Sequence, residues 1–227
     1  MFCVAWRFLP ESRAPASYPA QVPSTEGSRS RGGLGLRPLL ALVVASEFGL
    51  ALFEGTFVIF AKDRLAIGPT RAAVAFMVCG LVMAVFQVVA VSVFARFVSS
   101  IVQVALGLAL MGGGIAWLIA IHSFGVALGA IAVLAFGTAL VIPNLSALVS
   151  AHRGARTGSA LGLKNAASSL GQFGGPFVGG VLVGWREDSP FAIASIGLLA
   201  AALVVGVVSA NRATWDDDRD NAPTAVG

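Results

Sequence analysis

Glu47 and Glu54 stand seven residues apart in an otherwise apolar stretch. On a helix that spacing is close to two turns, so both carboxyl groups lie on one face, about 10 Å apart along the axis. An ionised carboxylate at the centre of a membrane-crossing helix costs about 2.5–3.5 kcal/mol on insertion scales. Each must therefore face a cavity, find a partner or hold a proton. Glu54, within FEGTF and nearer the middle of its span, is the candidate for binding and releasing a proton. Glu47 is a second candidate for proton coupling or substrate contact, with a structural carboxyl hydrogen-bonded to a neighbouring helix the favoured reading for it.

Five uncharged amides, Gln87, Gln103, Asn144, Asn165 and Gln172, also fall inside apolar stretches. Such groups contact a ligand or fasten one helix to another, and fastening is the default. Asn144 follows Pro143, whose missing N–H frees a carbonyl one turn back and bends the helix there. Lys164, beside Asn165, lies close enough to a span end to snorkel to the headgroups. His122 and His152 fall in loops on opposite sides of the membrane, and Cys3 and Cys79 are 76 positions apart. No metal site, catalytic dyad or disulfide is expected from them. A nucleotide-binding loop and zinc spacing are also missing, because the glycines sit inside apolar runs. The residues point to no enzyme, metal or cofactor.

The elements that must hold these groups follow from composition. The chain of 227 residues is 57% apolar and 11% charged, with a positive mean hydropathy, which leaves too little polar surface to cover a water-soluble globule. Six runs are long enough to cross a hydrocarbon core of about 30 Å: 39–61, 72–94, 101–121, 124–148, 158–183 and 190–210. The expected class is an all-α integral membrane protein with three parts. Residues 1–38, rich in Pro, Ser, Gly and Arg, form a tail and linker; 39–210 form a six-helix membrane domain; 211–227 form a disordered acidic tail.

Charge sets the orientation. With both termini on the cytoplasmic side, ten Lys and Arg residues lie inside and four outside, with Lys164 left within a span. That bias predicts a multi-pass plasma-membrane protein with cytoplasmic ends. The net charge of +4 is scattered over loops and tails, which argues for the lipid bilayer and against nucleic acid as partner.

Gly171, Gly175 and Gly179 repeat every four residues, with Pro176 and Gly180 beside them, so one helix face is nearly bare of side chains. It is a surface for close helix packing.

These features together resemble the C-terminal half of a major facilitator superfamily transporter, in the drug:proton antiporter branch that includes tetracycline efflux proteins. FLPES at Phe8–Ser12 looks like the end of that family's sixth helix and the start of its central loop. Gly171-x-x-x-Gly175-Pro176-x-x-Gly179-Gly180 resembles the antiporter motif GxxxGPxxGG. SVFARFVSS at Ser92–Ser100 keeps only Arg96 of the GxxxDxxGRR-like loop, as suits the second half. The resemblance implies a bundle equivalent to helices 7–12 of that fold, with 1–38 the remnant of helix six and the central loop. It implies secondary active transport, proton-coupled efflux of a small-molecule substrate, with protons as the second partner. Glu54 matches a recurrent acidic position on the family's seventh helix. Helices of one half rock against an opposing half, so a missing six-helix half or a second copy of the chain is the implied partner. A non-transporting membrane scaffold and a sugar or metabolite carrier of the same superfamily remain alternatives.

Overall fold

The computed structural model describes residues 34–92, 98–121, 123–151, 157–185 and 188–220, with side chains placed except at 88–92, 157 and 212–220. They fall in one compact unit, Gly32–Gly227. Six helices make it up: α1 Leu36–Leu65, α2 Pro69–Ser92, α3 Ser100–Ile119, α4 Phe124–Ala151, α5 Thr157–Val183 and α6 Ser189–Asp220. No strand occurs among the described residues. The breaks come at turn formers. Ala66 closes α1 in the left-handed region (φ 48°), and Gly68-Pro69 opens α2.

The described residues of all six expected runs are helical but for one or two at the ends. Five of the helices are long and apolar enough to cross a membrane; α5 is not among them. At 27 residues, about 40 Å, α5 has the length, but Thr, Ser, Asn, Gln, Lys and its glycines dilute its hydropathy. Those small and polar residues are the ones that pack it. The sixth helix reaches Asp220, ten residues past the expected span end and into the stretch expected to be a disordered tail. No Gly or Pro falls between Gly206 and Pro223 to stop it. Helix α1 likewise begins at Leu36, inside the expected linker. The FLPES segment, Arg96 and residues 221–227 lie outside the described residues.

Helix α1 is the organiser: it lies along α5 and also touches α6 and α4. Helix α3 lies against both α4 and α6, and α2 leans mainly on α4. The core runs through Leu52, Phe53 and Phe57 of α1, Leu108 and Ile115 of α3, Leu134 and Leu140 of α4, and Phe191 of α6. Near the Arg64 end of α1 an aromatic group of Phe53, Phe57, Phe60, Phe76 and Phe191 ties α1 to α2 and α6, with ring centroids 4.7–6.4 Å apart. Helices α3 and α4 meet backbone to backbone at paired glycines. A Cβ on Gly107 would lie 2.8 Å from the Gly137 carbonyl oxygen, and one on Gly137 2.6 Å from that of Gly107. This is the close approach that small residues allow where lipid offers no hydrophobic drive for association.

Arg64, in the last turn of α1, is bound to two other helices. Its Nη1 donates to both carboxylate oxygens of Asp188, at 3.1 and 3.0 Å, and its Nη2 donates to the Ile119 carbonyl at 3.3 Å. One side chain thus joins the end of α1 to the end of α3 and the start of α6, and it occupies a carbonyl that the end of α3 leaves without a helical donor.

Candidate functional site

A cavity of about 610 Å³ opens where α1, α4 and α5 converge. Its lining comprises Glu47, Leu50, Ala51, Glu54 and Gly55 of α1, Ile142 of α4, and Gln172 and Pro176 of α5. The two-turn spacing of the glutamates does what helical geometry requires: both reach the same cavity. Among the described residues α2 supplies none of the lining, because it packs chiefly on α4 and barely on α1.

The two carboxyl groups differ in surroundings. Glu54 is exposed, and no protein hydrogen bond reaches it among the described residues. Glu47 is only 8% exposed and is held from α5: Ser168 Oγ donates to its Oε1 at 3.3 Å and Gln172 Nε2 to its Oε2 at 3.1 Å. Ser168 and Gln172 are one turn apart and share a face. Sequence reasoning named Gln172 and missed Ser168, though this four-residue step was legible beside it.

The glycine stripe explains how α5 comes so close. A Cβ on Gly171 would lie 2.7 Å from the Val44 carbonyl oxygen and 2.8 Å from the Glu47 Cβ. One on Gly175 would lie 2.6 Å from the Leu52 nitrogen, and one on Gly179 2.7 Å from Thr56 Cγ2. Gly180 is different, with nothing within 4 Å of a Cβ built there, so it takes no part in the contact. Pro176 packs on Gly55, a glycine that sequence reasoning did not single out: a Cβ there would be 3.0 Å from the proline Cβ.

Asn144 belongs to a separate cluster. Its Nδ2 donates to Gln103 Oε1 at 3.0 Å and to the Leu140 carbonyl at 2.8 Å, while Gln103 Nε2 donates to the Val98 carbonyl at 2.7 Å. Helix α4 runs on through Pro143, and these amides cross-link it to α3 at that point. Gln87 on α2, and Asn165 on α5, are exposed and lie off the cavity lining, as does the half-buried Lys164. No group of three or more metal-ligating side chains is found among the described residues.

The architecture is that of a multi-pass helical membrane protein in which two carboxylates and an amide converge on a cavity between helices, and it resembles the C-terminal half of a major facilitator transporter of the drug:proton antiporter branch. The chain is 31% identical over 160 residues to multidrug resistance protein 1 of Bacillus subtilis, covering 69% of this chain and 40% of that relative. It is 26% identical over 181 residues to quinolone resistance protein NorA of Staphylococcus aureus, covering 76% of this chain and 44% of the relative. These matches fall in the C-terminal-half region. The chain thus spans about two fifths of the length of the curated relatives it matches. No protein-family profile matches it.

Proposed function

We propose that this bundle is one half of a secondary transporter that exports small hydrophobic compounds, quinolones among them, in exchange for protons. The observation that carries the reading is Glu54: an unpartnered carboxyl, in the middle of a membrane-spanning helix, on the wall of a cavity large enough for a drug-sized molecule. A group so placed binds a proton in one state and releases it in another without breaking any bond to the bundle. The apolar wall of Leu50, Ala51, Ile142 and Pro176 suits a hydrophobic ligand. The names of the relatives, multidrug resistance and quinolone resistance, supply the substrate class. Both termini lie in the cytoplasm on this reading, supported by the ten-to-four bias of basic residues.

An opposing six-helix half completes the pathway. A cavity walled by three helices of one bundle, with a carboxylate exposed in it, needs a second wall to be closed from lipid. The exposed rings of Phe173 and Phe177, on the same helix as Gln172 and Pro176, stack in parallel with centroids 6.5 Å apart and suit that contact.

The test is Glu54→Gln in the full-length protein, assayed in inverted membrane vesicles for uptake of a fluorescent quinolone driven by a proton gradient. Gradient-driven uptake is expected to fall by about tenfold or more, while quinolone binding without a gradient and the melting temperature stay close to wild type. Unaltered gradient-driven uptake would sink the assignment.

A further inference from the structure

We propose that Glu47 is the positioning residue of the cavity: it holds Gln172 so that the amide carbonyl of that side chain, and not its NH2, is presented to the ligand. The proposal rests on the efflux reading above and assigns work within that site. Its basis is the arrangement of Ser168, Gly171 and Gln172 around one carboxyl group. Gly171 lets α5 approach until a Cβ there would touch the Glu47 Cβ at 2.8 Å. Ser168 Oγ and Gln172 Nε2, a turn apart, then each reach one carboxylate oxygen, at 3.3 and 3.1 Å.

Both carboxyl oxygens of Glu47 accept, one from Ser168 Oγ and one from Gln172 Nε2, so the Gln172 side chain turns its NH2 toward Glu47. The oxygen of a planar amide points about 120° away from its nitrogen, and Oε1 takes no hydrogen bond among the described residues. Gln172 is exposed and lines the cavity, whereas Glu47 is buried. A ligand therefore meets an acceptor at Gln172 and a second acceptor at Glu54, and the wall selects for compounds that donate hydrogen bonds. Glu47 acts through Gln172. Its two oxygens are both occupied, and Glu54 is the carboxyl left free for the proton.

The experiment is a set of substitutions in the full-length protein in lipid nanodiscs, read by the dissociation constant of a fluorescent quinolone carrying a piperazine amine. Glu47→Ala frees Gln172 and is expected to weaken binding about tenfold, as is Gln172→Ala. The double variant should be no worse than Gln172→Ala alone, because the two residues act in series. Glu47→Gln should stay within about threefold of wild type and keep proton-driven uptake: its oxygen accepts from Gln172, and its own NH2 donates to Ser168 Oγ, which accepts as readily as it donates.

Full additivity of Glu47→Ala on the Gln172→Ala background would overturn the proposal, as would a Glu47→Gln variant as weak as Glu47→Ala. Should Glu47→Ala fail to fold, Glu47→Gln decides by itself: within about threefold supports positioning, and a loss beyond about tenfold overturns it. A wild-type protein that binds no quinolone removes the efflux reading and this assignment with it. That result differs from normal wild-type binding with additive variants, which removes the assignment alone.

Discussion

Two glutamates on one face of one helix end in different chemistry because of what the next helix brings to them. Glu47 meets a serine and a glutamine of α5; Glu54, two turns on, lines the same cavity and takes no hydrogen bond among the described residues. The same contrast applies to the amides. Gln172 lines the cavity, whereas Asn144 fastens α4 to α3 through Gln103 and caps the Leu140 carbonyl. Asn144→Ala removes both bonds and is expected to cost about 1 kcal/mol, the usual size of a hydrogen bond between helices in a membrane. A lowered melting temperature in detergent, with quinolone affinity unchanged, would bear this out. Changed affinity at unchanged stability would instead place Asn144 in the binding path.

At the level of elements, the pair α1 and α5 carries the site, and its spacing is set by three glycines. A methyl group at Gly175 would be driven against the backbone of Leu52 and Phe48, at 2.6 and 2.7 Å. Neither contact can yield without separating the helices. Gly175→Ala is therefore expected to destabilise the bundle by about 1–3 kcal/mol and to loosen the hold of α5 on Glu47. Gly180→Ala, five residues on and facing open space, is its control. It should be neutral or slightly stabilising, by up to about 1 kcal/mol, since alanine favours the helix. Thermal unfolding of the two variants side by side measures the difference. Equal melting temperatures would mean that α5 can shift along α1 at no cost.

For the whole molecule, the central question is what closes the open side of the cavity. The rings of Phe173 and Phe177 are 77% and 68% exposed and contribute little to the bundle's own core. Phe173→Ala with Phe177→Ala should leave the melting temperature of the bundle within a few degrees of wild type. If an opposing half packs there, transport should fall about tenfold, as for the loss of an aromatic contact at an interface. Transport at the wild-type rate would mean that the two rings face lipid.

What the sequence by itself determined was the class of the molecule and the shared face of Glu47 and Glu54. Composition leaves no alternative to burial in lipid, and helical periodicity is a local property that needs no fold to express it. The GxxxGPxxGG stripe also announced a close helix contact from spacing alone. It could not say that α1 is the partner, that Gly180 stands outside the contact, or that Gly55 receives Pro176, because each depends on how one helix is rotated against another. Nor could it foresee that Arg64 would bind the ends of three helices, joining residues 124 positions apart. Above all, only the tertiary structure separated the two carboxyl groups. Whether a carboxylate is free to exchange a proton or committed to a neighbour depends on donors from a helix more than 110 residues further along the chain, and only packing brings them within 3.3 Å.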